Sequence, residues 1–159
     1  MKNGFQWNAR ISQKTAGNFQ NKYDGKVFNS GFKEHDESLF LGLNKSWGHA
    51  HLTFSSFNNV LNLVEGERNL LGRFTYVNQN GTAVAASADE LNRRRVGTPH
   101  QGVEHRKVIS NNYFVLNNGS LNVDLAFQDN HRKEFGDPLQ PEQIGLYFDL
   151  QTFNYSARY

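Results

Sequence analysis

The sequence contains no cysteine. Disulfides, thiolate metal sites and cysteine nucleophiles are therefore excluded. No stretch approaches the roughly 18 consecutive apolar residues of a transmembrane helix. A transmembrane β-barrel stays open, because its strands alternate and barely register on hydropathy. The opening residues MKNGFQWNARISQ have no apolar run after Lys2 and do not read as a signal peptide. The formal charge is only +2, too small to argue for a nucleic-acid partner. GxSxG, glycine-rich phosphate loops and cysteine motifs are all missing. Asp124, Glu134, Glu142 and Asp149 are too dispersed for a glycosidase pair. Nothing supports an enzyme, and no cofactor is implied.

What the chain does have is aromatic residues, asparagine and glycine. Apolar residues make up 37%, with aromatics at 13%, 13 phenylalanines and 14 glycines among 159 residues. That composition suits alternating β-structure in one domain better than helix. Phe5, Trp7, Ala9 and Ile11 alternate with Gln6, Asn8, Arg10 and Ser12, which predicts a first strand. GNFQNKYDGKVFNSG (17–31) is rich in turn formers and predicts a loop. A second strand is predicted over 32–45, with Leu39, Leu41 and Leu43 on one face. Ser46, Trp47 and Gly48 form a short turn, and a third strand sets Ala50, Leu52 and Phe54 against His49, His51, Thr53 and Ser55. The stretch from about 58 to 102 predicts a long irregular loop, with a short extended piece near 74–77. Within it, ASADELNRRR (86–95) offers a helical turn capped by Ser87, with Glu90 three residues on. A fourth strand covers 104–116, and Asn117, Asn118 and Gly119 give a tight hairpin turn.

The fifth strand, LNVDLAFQDNHRKEF (121–135), has an oily face of Leu121, Val123, Leu125 and Phe127 that stops where the strand does not. Residues 136–141 form a loop, and a sixth strand runs from 144 to about 155 with Leu146, Phe148 and Leu150 facing one way. The expectation is an all-β, antiparallel up-and-down meander of about six strands. All the apolar residues should share one face, with His49, His51, Thr53, Asn122, Asp124, Gln128, Asp149 and Gln151 on the other. Short turns follow strands two and four, and longer loops follow strands one, three and five. An outer-membrane barrel separates short and long connections in this way. Trp47 beside a short turn, with Phe5 and Trp7 near the start, suits an aromatic girdle. An ordinary antiparallel sheet with one solvated face shares the alternation, and both readings stand on pattern alone.

The stretches TAGNFQNKYDGKVFNSGFKE, KSWGHAHLTFSSFNN and GTPHQGVEHRKVISNNYFVLNNGSLNVDLAFQDNHRKEF resemble the barrel of a TonB-dependent outer-membrane receptor of the Bacteroidetes type. In that family a strand ends in an asparagine-glycine loop with the counterpart here at Ala16 to Phe32. A P-x-Q-x-V-x-H segment, here Pro99 to His105, leads from a long outer loop back into the wall. A Q-x-N-x-R-x-EF strand follows a short turn, here Phe127 to Phe135. The resemblance covers nearly the whole chain. It implies that 1–159 is an internal piece of a barrel of about 22 strands, lacking the family's signal peptide, energy-coupling box and plug. It further implies a Gram-negative outer membrane, lipid contact, coupling to the TonB complex through the missing plug region, and uptake of a scarce small molecule or metal chelate such as a ferric siderophore. The alternative is a small complete ligand-binding barrel or a soluble β-sandwich with the long loop as lid.

Arg93, Arg94, Arg95, His100, His105 and Arg106, with Lys107, form a basic cluster along the sequence. Under the resemblance, it would attract an anionic chelate; the plainer reading is solvated or lipopolysaccharide-facing charge. His49 and His51 have H-x-H spacing on one strand face, but no carboxylate or third histidine lies nearby in sequence. They read as polar lumen positions, and no metal site is predicted. Phe153, Tyr155 and Tyr159 resemble the aromatic end of a barrel; an interior strand cut short fits better.

Overall fold

The computed structural model describes residues 4–159. Its frame is a single six-stranded antiparallel sheet. The long strands are β1 (Phe5–Ala16), β4 (Phe32–Lys45), β5 (Gly48–Asn62), β9 (His100–Leu116), β10 (Gly119–Phe135) and β11 (Leu146–Arg158). They lie side by side in that order, each hydrogen-bonded to its neighbour in the chain of long strands. The chain is therefore an up-and-down meander, as expected. Among the described residues β1 and β11 do not pair, so the sheet keeps two edges.

Both short connections lie at one end. Ser46 and Trp47 join β4 to β5, and Asn117 and Asn118 join β9 to β10. Gly48 has φ +129° there, and a Cβ at this position would come 1.9 Å from the Tyr113 carbonyl oxygen, so only glycine fits. Trp47 stacks on Phe114 across the turns at 5.7 Å. The connections 17–31, 63–99 and 136–145 all lie at the other end. They contain the remaining small elements: β2 (Gln20–Asn21) with β3 (Gly25–Lys26), then β6 (Glu67–Arg68), β7 (Phe74–Val77) and β8 (Ala83–Ala85) as a three-stranded sheet, and helix α1 (Ala88–Asn92). The long strands overrun their expected limits on this side. β5 continues to Asn62 and β9 begins at His100, so the irregular stretch is shorter than 58–102 and carries structure of its own.

Register defines the two faces. Directly paired residues project to the same side, so one row across the sheet reads Trp7, Leu41, Leu52, Ser110, Leu125, Tyr155. The row nearer the turns is Phe5, Leu43, Ala50, Asn112, Val123, Ala157; the row nearer the loops is Ala9, Leu39, Phe54, Val108, Phe127, Phe153. These rows form a nearly continuous apolar face. The next row turns polar on all strands but β1: Ile11, Glu37, Ser56, Arg106, Asp129, Gln151. On β10 the oily stretch Leu121–Phe127 covers roughly 20 Å along the strand at ~3.4 Å per residue. The strand then continues through Asp129–Glu134 for pairing and loop support, which is why it outlasts its oily face. Two polar residues interrupt the apolar rows, and both are satisfied within the sheet: Asn112 Nδ2 donates to Ser110 Oγ (2.9 Å) and to the Val123 carbonyl (3.2 Å).

The opposite face carries Gln6, Asn8, Ser38, His49, His51, Thr53, Asn111, Asp124, Gln128, Asn154 and Ser156. One expectation fails. Leu146, Phe148 and Leu150 pair with Glu134, Arg132 and Asn130, and so lie on this second face, while Asp149 and Gln151 lie on the first. The cause is a phase change in β11. Leu150 and Phe153 are three residues apart, so the apolar alternation slips by one between them. The half of β11 at the height of the oily rows presents Phe153, Tyr155 and Ala157 in step with its neighbours. The half above them sends its apolar side chains the other way, where Arg132 lies over the Phe148 ring at 6.0 Å.

Nothing in the described residues covers either face. Among the described residues no large side chain is fully buried, and the buried hydrophobic residues are Val27 and Phe74, both in the loops. The accessible surface is 10999 Å² for 18.2 kDa, about a third more than the roughly 8,100 Å² of a compact monomer of that mass.

Candidate functional site

The loop end is the part of the molecule that packs as a small globule, and asparagines hold it together. Asn29 is buried with φ +54°, a conformation that asparagine tolerates. Its Nδ2 donates to the carbonyls of Leu63 (2.8 Å) and Pro99 (2.7 Å), tying the first loop to both ends of the second. Asn62, also buried, donates to the Arg95 carbonyl (3.0 Å) and accepts from the Gly97 amide (3.2 Å). Asn18 donates to the Leu91 carbonyl at the end of α1 (3.1 Å) and accepts from the Ser30 amide (2.9 Å). The asparagine-glycine signature of 17–31 is thus a hydrogen-bonding frame for the neighbouring loop.

An aromatic cluster fills that frame. Phe28 stacks on Tyr76 at 4.3 Å and meets Phe74 at 6.0 Å. Helix α1 has the expected capping box, in which Ser87 Oγ accepts from the Glu90 amide (3.2 Å) and Glu90 accepts from the Ser87 amide (2.8 Å). The Tyr76 hydroxyl also donates to Glu90, and this bond, with those from Ser87, holds the Glu90 carboxyl below its usual range. Tyr76 itself is pushed up, first by burial and then by Glu90.

Two adjoining cavities open between these loops. One, of about 720 Å³, is lined by Phe28, Tyr76, Asn78, Arg95, His100 and Glu142 among others. The second, of about 560 Å³, is lined by Glu65, Tyr76, Val77, Thr98, Pro99 and Leu139 among others. The charged lining is Arg95, with His100 held below its ordinary value by burial, against Glu65, Glu67, Asp137 and Glu142; aromatic walls with amide groups can hold a small aromatic molecule.

The structure distributes the basic cluster of the sequence. Arg95 and His100 come together on the larger cavity. Arg93 lies against a narrow cleft with Asn18, Asn29 and Glu90, and Arg94 packs near Gly17. Arg93, Arg94 and Arg95 make no ion pair among the described residues. His105 and Arg106 belong to β9 instead, on opposite faces: His105 Nε2 is 3.3 Å from Gln128 Oε1, and Arg106 is 3.6 Å from Glu104. Adjacent positions on a strand point apart, so a run of basic residues along β9 does not make a patch.

The histidine pair sits on the polar face as expected. The rings of His49 and His51 stack at 4.4 Å, flanked by Tyr113 and Phe40, and His51 Nε2 is 3.2 Å from Asn44 Oδ1. No acidic side chain joins them among the described residues. A different group does assemble metal-ligating atoms: Asp129, His131 and Asp149, on β10 and β11 just beyond the oily rows. Asp129 and His131 have the i, i+2 spacing that places them on one face, but Asp149 arrives only through register and gave no signal in sequence. No protein-family model, curated protein or solved structure matches the chain.

Proposed function

We propose that the chain is a section of the wall of an outer-membrane β-barrel of the TonB-dependent receptor type, with its loop end outside the cell and engaged in capturing a small ligand. The observation that carries the reading is the uncovered apolar face on an open sheet. In water that face is an exposed patch beyond what monomers show; in a bilayer it meets lipid tails while the opposite, hydrated face lines a lumen. Internal satisfaction of Asn112 on the apolar face fits lipid, which offers no hydrogen bonds. Separation of short turns from long packed loops supports the same orientation. In this reading Arg95 and His100 line the ligand cavity and TonB coupling belongs to a plug outside the chain.

The test is solvent preference. The chain should aggregate without detergent and give a β-rich, monodisperse species in detergent or lipid, read by size-exclusion chromatography and circular dichroism. A sharp, cooperatively melting monomer in plain buffer would refute the wall reading. For the receptor assignment, the flanking reading frame should encode a plug; a stop codon at both ends would overturn it.

A further inference from the structure

We infer that Asp129, His131 and Asp149 form a site for one divalent transition-metal ion of the zinc type, on the outer face of the wall beside the headgroup edge of the apolar rows. Asp129 and His131 project from the same face of β10, and Asp149 stands directly across from His131 on β11. One ligand atom from each lies within 4.8 Å of the others. His131 Nε2 is 3.0 Å from Asp129 Oδ2, and Nδ1 is 3.6 Å from Asp149 Oδ1. Tetrahedral donors about 2.1 Å from a metal are ~3.4 Å apart; the two carboxylates stand beside different ring nitrogens, and one ion takes only one of them, so the site closes by a turn of the imidazole that sets Nε2 between Asp129 and Asp149.

A second observation points the same way. Asp129 Oδ1 is inaccessible and has no hydrogen-bond partner in the structure. A buried carboxylate oxygen without a donor is costly, and a bound cation nearby would offset that cost. On the other side of His131, Glu104 of β9 is its direct cross-strand partner, with its carboxylate paired to Arg106 at 3.6 Å. Arg106 and Lys133 flank the set on the same face, Arg106 directly paired with Asp129. They leave the group net negative when His131 is neutral.

The donor set selects the class of ion. Imidazole with carboxylates suits zinc, copper or nickel, whereas calcium and magnesium take oxygen ligands. With the ion on Nε2, Nδ1 is left to the Tyr147 hydroxyl, which stands 2.8 Å from it. Such outer partners fix a ligating histidine. A metal here would staple β10 to β11 where the strands leave the apolar rows.

The experiment titrates zinc ion into the full chain in detergent by isothermal calorimetry, with cobalt absorption as a second readout. One ion per chain is expected. His131→Ala, and separately Asp149→Asn and Asp129→Asn, should each weaken binding by at least about tenfold and lose the cobalt spectrum. The double variant His49→Ala/His51→Ala should bind as before. Circular dichroism establishes that each variant is folded, and Asp149→Asn preserves side-chain volume if His131→Ala does not fold. The inference is overturned if no saturable binding occurs, if loss follows His49 and His51 instead, or if both asparagine variants bind like the parent.

Discussion

A single arginine, moved by one position along β10, separates a lipid-facing wall from a sheet wetted on both sides. Leu125 occupies the middle apolar row between Ser110 and Tyr155, and Ala126 projects to the hydrated face between Ile109 and Asn154. If the apolar rows face lipid, Leu125→Arg places a guanidinium near the bilayer midplane, at a cost of about 2–4 kcal/mol. That is roughly a thirtyfold to nearly thousandfold loss in the folded-to-unfolded ratio. Ala126→Arg projects into water and should lie within about 0.5 kcal/mol of the parent, as surface changes do. The assay is urea unfolding in phospholipid vesicles of the chain together with its flanking strands, so that both sheet edges are paired. Trp7, in the same row as Leu125, and Trp47, at the turn end, serve as intrinsic fluorophores at two depths. Equal costs for the two variants in lipid would refute the assignment of faces, and so would a larger cost for Ala126→Arg.

Two further outcomes follow from the loop end. In Gly97→Ala the new Cβ would lie 2.3 Å from Asn29 Oδ1, displacing the side chain that holds the Leu63 and Pro99 carbonyls; a loss of about 1–3 kcal/mol in local stability should show as faster proteolysis within 63–99, with the strand signal in circular dichroism unchanged. Glu90 titrates below its ordinary value of 4.5 because Tyr76 and Ser87 donate to its charged form, so its contribution is complete above pH 4.5 and is lost as the pH falls through the lowered folded value; amide exchange in 87–92 should accelerate in that acid window in the parent, and not in Glu90→Gln.

Alternation was legible wherever one face of a strand stays in one environment. β4 runs over 32–45 as its pattern indicates, and both hairpin turns fall where Trp47-Gly48 and Asn118-Gly119 place them. β11 misleads because it changes environment midway. A reader who assigns its face from Leu146, Phe148 and Leu150 carries the wrong phase into Phe153 and Tyr155; the step from Leu150 to Phe153 is the only local clue. Of the three-stranded sheet, only β7 was legible, as the extended piece at 74–77; β6 and β8, of two and three residues, have no period to detect. The Ser87–Glu90 capping box, by contrast, is local chemistry and was legible at once. The site residues divide on the same principle. Arg95 and His100, five residues apart and grouped along the sequence, line one cavity, whereas Asp149 meets His131 only through strand register, which spacing does not record.

Exposure along the middle apolar row bears on what lies beyond the sheet. Leu52 and Leu125, which have strands on both sides, are 42% and 40% exposed, whereas Trp7 on β1 and Tyr155 on β11 reach 68% and 78%. The difference is what a missing neighbour removes: each inner side chain is flanked by two partners in its row, and each edge side chain by one. The edge residues also carry the largest apolar surfaces of the row. A soluble protein places charge, proline or a bulge on such edges to prevent pairing. Both edge strands carry charge, Arg10 and Lys14 on β1 and Asp149 and Arg158 on β11, but their apolar side extends the pattern of the interior, with Phe5, Trp7, Ala9 and Ile11 at one edge and Phe153, Tyr155 and Ala157 at the other. On the proposed wall reading, further strands of the same kind would pair with both edges, with lipid against the oily rows. In that setting the edge N–H and C=O groups, which would each cost several kcal/mol if left bare in hydrocarbon, are paired.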